Sequence, residues 1–178
     1  MSDVVARWGG VLVACAVGLP VAVGLAFGWA VVARRRGRPA AHAVAEVFLV
    51  VGTLPWLWMI LTPDPGGTRR VRLVPLLDLA SLRPGEVLVQ VVGNLLVFAA
   101  LGALLPVRWP AGTGTVALVA AGASVAVELL QYALDLGRVS SVDDVLLNTL
   151  GAVLAAQASR PAWRSRSGDD EPAATPVP

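Results

Sequence analysis

Lysine is absent from this chain: all 14 of its lysine or arginine positions are arginine. Charge of either sign is scarce. Charged residues make up 15% of 178 and the formal net charge is +2, whereas a soluble domain carries about a quarter charged residues. So small and dispersed an excess makes no nucleic-acid surface, and no nucleic-acid partner is expected. The single cysteine, Cys15, lies inside the first apolar run. No intrachain disulfide can form, pairing says nothing of the redox compartment, and Cys15 is read as packing. The single histidine, His42, has no second ligand-type residue beside it, so no metal site is expected. There is no phosphate loop, no Gly-x-Ser-x-Gly elbow, no cysteine or histidine pair and no dinucleotide fingerprint. These absences argue against nucleotide and redox chemistry, and no cofactor is expected.

What the chain has in abundance is apolar surface, at 56% of residues and a mean hydropathy of +0.72. That composition predicts an all-α, polytopic membrane protein. A helix needs about 20 apolar residues to span hydrocarbon. Five stretches meet or approach that length, Gly9 to Ala33, Ala43 to Leu61, Val87 to Leu105, Gly114 to Leu134 and a shorter Val142 to Ala158. Trp8, Trp29, Trp56, Trp58, Trp109 and Trp163 fall at or beyond span ends, as an interfacial aromatic belt requires. A membrane domain is thus expected over 1–160. The Pro/Ala/Thr-rich tail 161–178 cannot bury a core and is expected to be disordered.

The first apolar run exceeds a signal-peptide core and is read as retained. It is followed at once by Arg34-Arg35-Arg36-Gly37-Arg38, which the positive-inside rule assigns to the cytoplasm. Five alternating crossings then put the N-terminus outside and the C-terminus inside a bacterial plasma membrane, with eight arginines inside and six outside. Four of the six lie in the one sizeable loop, Thr62 to Glu86, whose apolar half, Val71 to Leu82, is expected to lie on the membrane or re-enter it.

Polar side chains inside such spans are costly, about 2.5 to 3.5 kcal/mol for a charged one at mid-membrane, and those that persist face a protein interior or a wet cavity. Ser124, Glu128, Gln131 and Asp135 follow i, i+4, i+7, i+11 and predict one polar stripe. Asp144, Asn148 and Gly151 make a second stripe, Gly151 allowing close helix approach. Gln90, Asn94 and Leu101 share a face of the third span, flanked by Gly93, Phe98 and Gly102. At a rise of about 1.5 Å per residue, Asn94, Glu128 and Asn148 all lie about 9 to 10 Å from the same end of their spans. With Arg138 and Asp144 in the turn above them, they predict one outward-facing polar pocket.

Each member has two readings. Glu128 is either a general acid or base, or a structural carboxylate paired with Arg138. Arg138 either grips a phosphate or carboxylate or snorkels to headgroups. Asp143 is expected to cap the fifth helix, and Asp144 either caps it or joins the pocket. Asn94, Gln131 and Asn148 are interhelical hydrogen-bond partners or ligand contacts. Adjacent Asp143 and Asp144 diverge by about 100 degrees and make a poor metal pair. Glu46 is expected at the interface near the arginine cluster. Gly24-x-x-x-Gly28, with Gly10, Ala14 and Gly18, reads as helix packing, within the chain or in a homo-oligomer.

These residues carry a resemblance. Asn94-Leu95-Leu96-Val97-Phe98-Ala99-Ala100-Leu101-Gly102, Glu128-Leu129-Leu130-Gln131, Gly137-Arg138 and Asp143-Asp144-Val145-Leu146-Leu147-Asn148-Thr149-Leu150-Gly151 occur in that order on successive spans. With the approach Val71-Arg72-Leu73-Val74-Pro75, the pattern resembles the VanZ-like family over about 72–156. Two positions depart from it: Arg72 stands where the family commonly has Asn, and Ala100 where it has Pro. The resemblance implies a cell-envelope membrane protein associated with lowered sensitivity to the glycopeptide teicoplanin, not demonstrably an enzyme. Its expected partners are membrane lipids and a lipid-linked cell-wall precursor. Two alternatives stay open. One is an intramembrane hydrolase or transferase on a polyprenyl phosphate, with Glu128 as acid/base, Arg138 as clamp, and Asp144 and Asn148 orienting substrate or water. The other is a transporter of a lipid or small solute.

Overall fold

In hydrocarbon every backbone group must be bonded within its own segment, and helices meet that condition span by span. The computed structural model describes residues 2–64, 66–76, 79–80 and 82–164. Its helices are α1 (Ser2–Arg35), α2 (Ala40–Leu61), α3 (Pro84–Val97), α4 (Ala99–Arg108), α5 (Thr113–Ala133), α6 (Val142–Ala158) and the short α7 (Arg160–Arg164). Two three-residue strands, β1 (Arg70–Arg72) and β2 (Val139–Ser141), pair in parallel. Among the described residues four segments are long and apolar enough to cross a membrane: Ala16–Arg35, Ala40–Leu61, Gly85–Arg108 and Thr113–Ala133. The chain is an all-α membrane protein.

The fifth expected span coincides with α6, but its 17 residues reach only about 25 Å, short of a hydrocarbon core of about 30 Å. Instead of lying at the edge, α6 is packed among α3, α4 and α5. Small residues make that possible. A Cβ on Gly151 would strike the Leu95 carbonyl of α3, and one on Gly102 of α4 would strike the Ala152 carbonyl. Ala152 and Ala156 are fully buried with Val97, Phe98, Val116 and Ala120, forming the core of the bundle.

The third span, expected as one helix, is interrupted at Phe98, where φ is −112° and ψ is 17°. The Gly102 N–H still donates to the Phe98 carbonyl at 2.9 Å. Ala100, rather than proline, follows this break, so an imino ring is not required for it.

Packed chiefly against α2, α1 buries Ala22, Ala26 and Ala33. Its glycines are not the seam: a Cβ on Gly18, Gly24 or Gly28 would meet nothing within 4 Å. Of the two readings, packing within the chain or in a homo-oligomer, the described neighbours of these three supply no close contact for the first. The side chains of Cys15, Trp8 and Ala14, and the surroundings of Gly10, lie outside the described residues, as do tail residues 165–178.

Glu46 ties the arginine end of the bundle together. Trp29 Nε1 donates to its Oε2 at 2.8 Å, while Arg38 Nη2 and Arg108 Nε donate to its Oε1 at 2.9 and 2.5 Å. The α1–α2 loop and the end of α4 thus share one end of the molecule. The Thr62 to Glu86 loop lies at the other. It is fastened there by the β1–β2 ladder, by the Asp64 N–H donating to the Leu136 carbonyl at 2.8 Å, and by Arg69 stacked 4.2 Å over the Tyr132 ring. Gly137, at φ +68°, lies so close to the Asp64 carbonyl that no Cβ would fit. Val71, Leu73, Val74 and Leu76 of the loop point outward.

Candidate functional site

Where α2 and α5 end and α6 begins, next to the middle of α3, the bundle lines a half-open cavity of about 670 Å³. All six residues singled out from the sequence line it: Asn94, Glu128, Gln131, Arg138, Asp144 and Asn148. The helical spacings that placed them on stripes hold up to the helix ends, and Leu101, expected on a face with Gln90 and Asn94, lies beyond the break at Phe98 and off the wall. Asp135 sits beyond the end of α5, exposed, at φ +50°, and is not on the cavity wall.

The wall is cross-bonded through its polar groups. Gln90 Nε2 and Asn94 Nδ2, one helical turn apart on α3, both donate to Asp144 Oδ1, at 2.7 and 2.6 Å. Asn148 Nδ2 donates to Ser124 Oγ at 2.8 Å, linking α6 to α5 where both residues are buried. Gln131 Nε2 donates to the Ile60 carbonyl at 2.7 Å. Arg138 donates from Nε to the Thr62 carbonyl at 3.2 Å and from Nη2 to the Met59 carbonyl at 3.3 Å. The last carbonyls of a helix have no intrahelical donor, and its C-terminal dipole attracts a cation, so Arg138 and Gln131 together cap α2.

Asp143 does not cap its helix, contrary to expectation. The N-cap is Ser141, whose Oγ accepts from the Asp143 N–H at 3.1 Å. The Asp143 carboxyl is buried and reaches back to the loop, where Oδ1 accepts the Leu76 N–H at 2.6 Å. Leu76 holds φ +65°, a conformation that is strained for a residue with a Cβ. Glu128 Oε2 accepts the Ser141 N–H at 3.0 Å, and the Glu128 carbonyl accepts from Ser140 Oγ at 3.1 Å.

A large part of the wall was not foreseen. Trp58, Met59, Ile60, Thr62, Pro63 and Asp64 form one side. From the sequence Trp58 reads only as part of an aromatic belt, and nothing local in that run distinguishes a cavity wall from a lipid-facing end. Gln90 did carry a signal, its i, i+4 relation to Asn94, and the structure brings both to the same carboxylate oxygen.

Among the described residues that line the cavity, Asp64, Glu128 and Asp144 are acidic and Arg138 is basic. Among the described residues on the wall, Asn148 is 2% exposed and its Oδ1 has no hydrogen-bond partner. Among the described residues no cluster of His, Cys, Asp or Glu could hold a metal ion.

A helical membrane bundle with a polar cavity walled by separate spans defines the class of protein. The VanZ/LLP1 family model matches residues 41–160, about two thirds of the chain, and the chain belongs to that family. Neither a curated protein nor a solved structure matched it.

Proposed function

We propose that this protein holds the polar head of a lipid-linked envelope component in its cavity and thereby lowers sensitivity to glycopeptide antibiotics such as teicoplanin. One observation carries the reading. Seven polar side chains from α3, α5, the following turn and α6, Gln90 among them, converge on a single cavity, beside which Trp58, Leu88 and Val89 are exposed as an apolar flank. A polar recess bordered by lipid-facing surface suits an amphiphile, the head entering and the chain staying outside. In this reading the protein sits in the bacterial plasma membrane with the Arg34–Arg38 end cytoplasmic and the cavity facing outward.

An intramembrane hydrolase or transferase would need Arg138 as a phosphate clamp. Arg138 donates instead to the Met59 and Thr62 carbonyls, and Glu128 accepts a backbone N–H. Binding without turnover is the reading these contacts support.

The test is teicoplanin susceptibility in a sensitive host expressing the wild-type chain or Glu128→Gln at matched membrane level. Protection by the wild type that the variant loses supports the reading. Absence of protection by the wild type overturns its drug-resistance part.

A further inference from the structure

Resting on that reading of the cavity, we infer that it opens sideways into the bilayer through a slot between α2 and α3, and that Gly93 keeps the slot wide enough for the ligand's chain. The seams around the cavity point that way. Gln131 and Arg138 fasten α5 and the turn after it to α2, donating to the Ile60, Met59 and Thr62 carbonyls. Asn148 fastens α6 to Ser124 of α5, and Asp144 fastens α6 to Gln90 and Asn94 of α3. The remaining seam is different. Among the described residues no hydrogen bond or ion pair joins α3 to α2, which packs chiefly against α1 and α4.

Residues that line the cavity and are also exposed mark its mouth. On one side of the unfastened seam stands Trp58, 65% exposed, and on the other Val89, 56% exposed. Both lie within segments apolar and long enough to span, so this part of the mouth meets hydrocarbon. Thr62 and Asp64, also exposed, continue the mouth past the end of α2. The rim therefore runs from polar to apolar, in the order in which an amphiphile presents its head and its chain.

Gly93 stands in the middle of the α3 wall, one turn from Val89 and one turn from Val97, which both line the cavity as it does. No neighbour calls for a glycine there. Among the described residues a Cβ at 93 would meet nothing within 4 Å, whereas Gly102 and Gly151 leave no room for one. Its backbone is helical, and glycine is a poor helix former. What the missing side chain supplies is space on the wall beside the open seam.

The test uses the full chain with Cys15→Ser and Gly93→Cys in phosphatidylcholine nanodiscs, which leave both membrane faces open to water. Separate samples are treated with a water-soluble sulfonatoethyl and a hexadecyl methanethiosulfonate, and the added mass is read on the intact protein. Complete modification by both is expected, because the slot meets water at one end and lipid along its side. Modification by the water-soluble reagent alone shows a cavity shut to the bilayer, by the hexadecyl reagent alone a residue on the outer lipid face, and by neither a packed position. Each of these three overturns the slot.

Undecaprenyl phosphate and phosphatidylglycerol are then titrated onto the wild type and Gly93→Leu in a nonionic detergent, with bound lipid counted by native mass spectrometry. The variant is expected to bind roughly tenfold more weakly while unfolding at no lower a temperature than the wild type. Gly93→Ala, with a smaller loss, serves if the leucine variant does not fold. Equal binding by variant and wild type overturns the part given to Gly93 and leaves the amphiphile reading standing. Binding of neither lipid by the wild type overturns the amphiphile reading, and the thiol result still decides the slot.

Discussion

The carboxylate of Glu128, on α5, accepts the backbone N–H of Ser141, the N-cap of α6, at 3.0 Å. In a local capping box the third helical residue makes that reach back. Here the third residue is Asp144, which is turned to Gln90 and Asn94, so a neighbouring helix supplies the missing acceptor.

Glu128→Ala should therefore destabilise the fold by about 1 to 2 kcal/mol through loss of that acceptor. Glu128→Gln, which keeps an amide oxygen in the same place, should stay close to the wild type. Thermal unfolding of the purified proteins in detergent, followed by circular dichroism, separates the two. An alanine variant as stable as the glutamine variant would show that the bond contributes nothing.

The Ser124 to Asn148 hydrogen bond lies buried between α5 and α6. A double-mutant cycle on Ser124→Ala and Asn148→Ala should return a coupling of about 0.6 kcal/mol, the average for interhelical bonds in a bilayer. Unfolding in a denaturing detergent supplies the four free energies, and additive effects would mean that the two side chains do not interact.

Gly151→Ala and Gly102→Ala each place a methyl group against the backbone of a neighbouring helix, at Leu95 and Ala152. Each should destabilise by about 1 to 3 kcal/mol. Gly24→Ala and Gly28→Ala, where a Cβ meets nothing, should lie within about 0.5 kcal/mol of the wild type. The same unfolding assay ranks all four. Tolerance at Gly151 would contradict the close seating of α6 on α3.

Arg36 and Gly66 are exposed at opposite ends of the bundle. In a Cys15→Ser background, Gly66→Cys should react with a membrane-impermeant maleimide on intact cells, and Arg36→Cys only after permeabilisation. The reverse pattern would turn the cavity toward the cytoplasm.

Helix boundaries were legible in the sequence because hydropathy and spacing are local properties. The α2 and α6 spans end at the expected residues, Leu61 and Ala158, and α5 ends within one of its expected limit. The stripe Ser124, Glu128, Gln131 was legible for the same reason, since a period of 3.6 residues needs no knowledge of any neighbour. Asp135 failed because the stripe was extended past the point where the helix stops. The break at Phe98 carried no local signal, as neither Gly nor Pro stands at Phe98, Ala99 or Ala100. The strands β1 and β2 were likewise hidden: three residues each give no periodicity, and their pairing joins segments 69 positions apart in register, Arg70 with Val139.

By itself the sequence determined the membrane class, most of the helix ends, and which polar residues within an unbroken helix would share a face. Only the tertiary structure decided what each polar group does. Arg138 could be read as an anion clamp until Met59 and Thr62, 79 and 76 positions away, were seen to take its donors. Gln131 finds the Ile60 carbonyl 71 positions away, and Asp143 finds the Leu76 N–H across 67. Hydropathy and helical period depend on a residue and its near neighbours, whereas the satisfaction of a buried donor or acceptor depends on whichever distant backbone the fold brings within about 3 Å.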